Sequence, residues 1–286
     1  MCDQHFEDDM KKYLTRRQFG AMSVGVGMAM LVPRAADALD VKESDVNVKT
    51  PDGVADCYFV HPASGAHAGV LVWPDILGLR PAFRQMGKRL AESGYSVLVV
   101  NPFYRQKKAP IVPPGASFAD EATRNTVMPL AKALSPTTHV TDAKAFVSFL
   151  DSQAPVAKNR KIGTTGYCMG GPIVMRTAAA VPDRIGAGAS FHGGGLVTKE
   201  PDSPHLLIPQ MKAQFLFAVA ENDDQREPEA KNVLKESFAK AKLPAEIEVY
   251  AGAAHGWCPP DSAVYNEKQA ERAWSRLLVL FGKALA

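Results

Sequence analysis

Apolar and polar positions recur along this chain with two periods, and the periods divide it into strands and helices. The apolar runs at 69–73, 95–100 and 214–220 have no polar face, as expected of strands covered on both sides. Shorter strands are predicted at 46–48 and 57–60, an antiparallel pair joined by the turn Thr50-Pro51-Asp52-Gly53. Further strands are predicted at 161–167, 185–191 and 246–250. Between them the period lengthens to that of a helix. Phe83, Met86, Leu90 and Ala91 mark a helix over 83–92, closed by Gly94. Helices are also predicted around 123–134, 140–152, 172–180 and 229–241. Ala143, Ala145, Phe146, Phe149 and Leu150 form the apolar stripe of the second of these. A last helix over 266–285 carries the stripe Ala270, Ala273, Trp274, Leu277, Leu278 and Phe281.

Strands alternating with helices predict an α/β fold, a mostly parallel sheet with helices on both faces. Such sheets carry reactive groups at the C-terminal ends of their strands. Residues 105–118 are rich in Pro, Lys and Gly and read as an excursion or lid rather than a linker. One domain is therefore expected over 39–286.

The first 38 residues follow a different pattern. Arg16-Arg17 precede an apolar run from Ala21 to Val32, and Ala36-Asp37-Ala38 offers a small-x-small cleavage site. This is the arrangement of a twin-arginine export signal, and the run is shorter than the roughly 20 apolar residues of a membrane span. The expected partner is the twin-arginine export machinery, the expected location periplasmic or exported, and no stable membrane span is expected in the mature form.

Composition changes this picture little. The net charge is +3 over 286 residues, and several basic residues lie in the leader, so the remainder is close to neutral. That balance argues against a nucleic-acid partner. No zinc-type Cys/His spacing, phosphate loop or internal repeat is present, and no metal or organic cofactor is expected. Without Cys2 the mature chain keeps Cys57, Cys168 and Cys258, an odd number that leaves at least one thiol free. A Cys57–Cys258 disulfide fits the count but nothing local supports it, and Cys57 reads as a small buried hydrophobe on a strand.

Candidate chemistry centres on Gly166-Tyr167-Cys168-Met169-Gly170-Gly171, between a predicted strand and a predicted helix. A reversal of the chain at one residue strains the backbone there and requires tiny neighbours two positions away. It sets the Cys168 thiol at a helix N-terminus, which favours a thiolate. A Gly-rich turn with an inert Cys would look the same in isolation. Downstream, the strand at 214–220 ends in Glu221-Asn222-Asp223-Asp224, and the strand at 246–250 is followed by Ala253-Ala254-His255-Gly256. Nucleophile, acid and histidine thus occur in the order of an α/β-hydrolase triad, with His255 as general base.

These blocks resemble the dienelactone hydrolase family over essentially the whole mature region. Trp73-Pro74-Asp75-Ile76-Leu77-Gly78-Leu79, Asn101-Pro102-Phe103-Tyr104-Arg105, the Cys168 turn and Ala253-Ala254-His255-Gly256 carry the resemblance. It implies an α/β-hydrolase fold and hydrolysis of a small, anionic ester or lactone. Cys168 would attack the carbonyl, His255 would serve as base and then acid, and the N–H groups of Ile76 and Met169 would form the oxyanion hole. Asp75 stands where the family usually has Glu, at the position that modulates the thiol. Arg105 would bind a substrate carboxylate, with Tyr104, Trp257 and His192 also expected around the substrate. Two acids compete. The small residue three places earlier selects Asp223, whereas Pro228 four places later selects Asp224, and Asp223 is favoured. A non-catalytic periplasmic binding protein with a structural Cys168 is the competing reading. A thiol redox protein is less consistent with the absence of a Cys-x-x-Cys pair.

Overall fold

The computed structural model of the chain describes residues 38–286. The predicted leader therefore lies outside the described residues, except for its last position. Eight strands form a single sheet in the order β1-β2-β4-β3-β5-β6-β7-β8. They are β1 Val41–Thr50, β2 Gly53–Pro62, β3 Gly69–Trp73, β4 Ser96–Val100, β5 Ile162–Tyr167, β6 Ile185–Phe191, β7 Gln214–Ala220 and β8 Ala245–Tyr250. β1 and β2 form an antiparallel hairpin, β2 runs antiparallel to β4, and all other neighbours are parallel. This is the mostly parallel sheet that the alternating pattern predicts and the α/β-hydrolase arrangement that the family resemblance implies.

Seven α-helices are described: α1 Pro81–Glu92, α2 Glu121–Lys132, α3 Pro136–Ser152, α4 Gly170–Ala180, α5 Glu221–Arg226, α6 Ala230–Ala241 and α7 Glu267–Ala284. One sheet face packs apolar side chains of α3, α4 and α6 against Phe59, Leu71, Trp73 and Phe217. The opposite face packs α1 and α7 against Val70, Val97, Tyr167 and Leu216. Every residue of β3, β4 and β5 is buried, which accounts for the nearly unbroken apolar sequence of β3 and β4, while β5 buries Thr164 and Thr165 among its glycines. Cys57 lies on β2, buried and free, and Cys258 is also a free buried thiol.

Two features position the site. The chain leaves β3 for β4 on one side and later returns to β5 on the other, so the order reverses at the β3–β5 pair. A crevice forms outside the carboxyl ends of strands at such a reversal, and the segments after β3 and β5 carry Asp75-Ile76 and Cys168. The excursion after β4 then builds a third apolar cluster. Phe103, Ile111 and Val112 pack with Val127 of α2, and Ile76 and Met169 rest against them. Among the described residues no helix is long and apolar enough to cross a membrane.

Candidate active site

The turn after β5 has the strained geometry that its sequence implies. Cys168 adopts φ +53°, outside the conformations that non-glycine residues favour. Strain of this kind costs about 1–3 kcal/mol and persists only where the surroundings impose it. Here the Cys168 N–H is shared between Phe191 O at 3.0 Å and His192 Nδ1 at 3.1 Å. The flanking glycines let strand and helix close up. A Cβ on Gly166 would lie 2.3 Å from Gly170 O, and one on Gly170 would lie 2.4 Å from Trp73 O. Both obstacles are backbone atoms, which cannot swing aside. Gly170→Ala is therefore expected to destabilise the fold by about 3 kcal/mol, read from denaturant unfolding. A loss well under this value would show that the turn relaxes freely.

His255 reaches the thiol from the loop after β8. Its Nδ1–H donates to Asp223 Oδ2 at 2.7 Å, and the Cys168 sulfur lies close enough to act electrostatically on the ring. The loop itself is pinned, because the His255 N–H donates to Asn222 Oδ1 at 2.8 Å and Glu221 N–H donates to Ala253 O at 2.9 Å. Burial alone would push the His255 pKa down. The Cys168 sulfur and the Asp223 carboxylate together outweigh it and hold the ring well above the ordinary histidine value. An imidazolium is thus favoured beside the sulfur.

The two candidate acids separate for a helical reason. Sequence analysis reads 221–224 as the end of a strand, but these residues begin the short helix α5. Successive helical residues point about 100° apart. Asp223 accordingly faces His255, while Asp224 accepts from Lys231 Nζ at 2.6 and 2.8 Å. Asp223 also accepts from Arg226 at 2.7 Å, so both its oxygens are engaged.

The N–H groups of Ile76 and Met169 lie beyond β3 and β5 respectively, and neither donates to another described residue. N–H groups without a protein partner are the kind of donor that an oxyanion requires. Asp75, expected to tune the thiol, is engaged by an arginine. Its carboxylate accepts from both Nη atoms of Arg80, at 2.7 and 2.9 Å, and from the Leu77 N–H at 2.9 Å. The other edge of Arg80 holds Asp261 at 2.7 and 3.0 Å. Asp75 thus ties the segment bearing Ile76 to the loop after His255.

The expected substrate-binding residues are placed differently from the reading that named them. Arg105 is clamped between Asp52 and Asp142, with four of its five N–H groups donating to these carboxylates at 2.6–3.0 Å. The Tyr104 hydroxyl donates to Asp142 at 2.8 Å and bonds Thr50 at 2.7 Å. Trp257 and His192 are 0% and 1% exposed and offer no surface to a substrate. His192 instead packs its ring edge-on against His255 and Trp257, each at 5.1 Å between centroids. Its Nδ1 accepts from the Cys168 N–H, so the neutral ring carries its proton on Nε2. Burial first, and then the neighbouring His255, push its pKa well below the usual value. His192 is therefore a buried support under the nucleophile rather than a pocket wall. Sequence reasoning missed Asn222, Arg80 and Asp261. Asn222 stood beside the candidate acids, and Arg80 directly followed the Asp75 segment.

Comparison with known proteins places this geometry in context. Residues 55–285 match the dienelactone hydrolase family. A provisionally named carboxymethylenebutenolidase of Methylorubrum extorquens is 28% identical over 275 residues, covering 92% of this chain and 91% of that protein. The carboxymethylenebutenolidase of Rhodococcus opacus is 25% identical and covers 83% of this chain and 90% of its own length. Among solved structures, a dienelactone hydrolase-like promiscuous phosphotriesterase from metagenomic libraries superposes with a TM-score of 0.71. It is 18% identical, covering 86% of this chain and 99% of that one.

Proposed function

The chain belongs to the dienelactone hydrolase family, and on that premise we propose that it hydrolyses small esters or lactones through a covalent thioester on Cys168. The observation that carries the proposal is the grouping of Cys168, His255 and Asp223, with His255 bonded to Asp223 and its ring under the charge of the nearby Cys168 sulfur. The relative from Rhodococcus opacus is named for an enzyme that opens a butenolide, a cyclic ester. The same bond class suits a sulfur nucleophile flanked by free N–H groups.

The steps follow from the arrangement. The Cys168 thiolate attacks the carbonyl carbon and forms a C–S bond, while the oxygen takes up negative charge between the Ile76 and Met169 N–H groups. The carbonyl re-forms, the C–O bond to the leaving alcohol breaks, and the His255 imidazolium supplies the proton that the alkoxide needs. In a lactone the alcohol stays tethered to the acyl group. A water molecule then gives a proton to neutral His255 and attacks the thioester carbonyl. The C–S bond breaks, releasing the carboxylic acid and restoring the thiolate. Asp223 holds the ring in one tautomer and stabilises its charged form throughout. Asn222 and His192 fix the backbones that carry His255 and Cys168.

We further propose, on the Arg16-Arg17 leader alone, that the enzyme acts after twin-arginine export. The hydrolase assignment is tested with para-nitrophenyl acetate and a panel of small lactones. Wild type is expected to turn over at least one of them, and His255→Ala to lose roughly a thousand-fold or more in turnover. Equal rates for the two proteins would overturn the role given to His255.

A further inference from the structure

The charge balance around this site does not suit a carboxylate-bearing substrate. Two arginines lie in the segments that lead away from β3 and β4, Arg80 and Arg105, and each is already sandwiched between two aspartates. Arg80 is 7% exposed and uses all five N–H groups on Asp75, Asp261 and Gly78 O. Arg105 is clamped by Asp52 and Asp142, and its flat face lies over the Tyr104 ring at 4.6 Å. Each trio of one guanidinium and two carboxylates carries a net negative charge. A substrate carboxylate would have to displace an aspartate that is already bonded through two oxygens or to two nitrogens, and it would be repelled by the aspartate that remained.

The surface beside Ile76 and Met169 is apolar instead. The side chains of Ile76 and Met169 are only partly buried, and both pack against the cluster of Phe103, Ile111, Val112 and Val127. Phe118 and Leu130 extend that cluster and are also partly buried. The side chains packed beside Ile76 and Met169 are therefore alkyl and aryl groups of the 101–134 region.

Building on the ester-hydrolase reading above, we propose that this site takes uncharged esters with an apolar acyl group and discriminates against esters that carry a carboxylate. The hydrolysis step is unchanged; the inference concerns which acyl group the apolar cluster admits.

The test uses three para-nitrophenyl esters with the full-length enzyme: the acetate, the butyrate and the hemisuccinate. Butyrate and hemisuccinate have acyl chains of equal length and differ in the terminal carboxylate. After spontaneous hydrolysis, which the hemisuccinate's own carboxylate accelerates, is subtracted from each rate, kcat/KM for the butyrate is expected to exceed that for the hemisuccinate by roughly 10-fold or more, with the gap narrowing at high salt. The butyrate is also expected to exceed the acetate by roughly 10-fold, because two further methylenes are buried. A hemisuccinate turned over as well as the butyrate, or better, would overturn the proposal while leaving the hydrolase reading intact. Turnover of none of the three would overturn the hydrolase reading and this proposal with it.

Discussion

Cys168→Ala is expected to lower turnover of any accepted ester by about ten-thousand-fold or more. The substitution removes the sulfur proposed to form the covalent intermediate, and a water molecule recruited by His255 would have to replace it. Alanine keeps the Cβ and leaves untouched the bonds from the residue 168 N–H to Phe191 O and His192 Nδ1. The fold should survive, with a denaturation midpoint close to that of wild type. A second readout separates chemistry from structure. The sulfur is the first of the groups that hold the His255 pKa up against burial. Removing it should lower that pKa, which an NMR titration of the ring would record. Residual activity within about tenfold of wild type would mean that the nucleophile lies elsewhere.

The second large effect falls on the acid. Asp223→Asn is expected to reduce turnover by roughly a hundred- to ten-thousand-fold, while Asp224→Asn should change it by less than about threefold. An amide at position 223 can offer its N–H to the ring and stabilise the wrong tautomer. The pH profile supplies the sign. With an alkyl ester or a lactone, whose alkoxide needs the proton on His255, activity is expected to fall as pH rises through the raised pKa of that ring. The alkaline limb of wild type should therefore lie well above the ordinary histidine value near 6.5. Asp223→Asn removes one of the charges that raise it, and the limb should shift to lower pH. Asp224→Asn should leave the limb in place, because Asp224 faces Lys231. A larger drop for Asp224→Asn would transfer the acid role to that residue.

The sheet and its helices could be read from the chain because β3, β4 and β7 are almost wholly buried, leaving little polar interruption. β1 was harder to place. It begins at Val41, five residues before the predicted strand, because Lys42, Glu43, Ser44 and Asp45 are exposed on an edge strand. Edge strands carry charge as protection against pairing with other chains, so they lose the apolar signature. The Cys168 turn was legible because a strained reversal demands glycine at fixed offsets. The choice between Asp223 and Asp224 depends on helical phase in α5, a six-residue element without a periodic pattern of its own. The environments of Arg105 and Asp75 were beyond sequence reasoning. Their partners Asp142 and Asp261 are 37 and 186 positions away along the chain and close only in the fold. Asp75 itself meets Asp261 only through Arg80. A resemblance could align those residues with a family's roles, but it could not show that neighbouring aspartates had already taken the guanidinium groups.

The central claim is the covalent acyl enzyme on Cys168. The most direct test is the mass of the protein during turnover of para-nitrophenyl pivalate, whose hindered thioester hydrolyses slowly. An acid quench after one equivalent of nitrophenolate has been released should give wild type carrying one pivaloyl group, located on the peptide that contains Cys168. Release of one equivalent with the protein mass unchanged, or with the acyl group on another residue, would contradict the account.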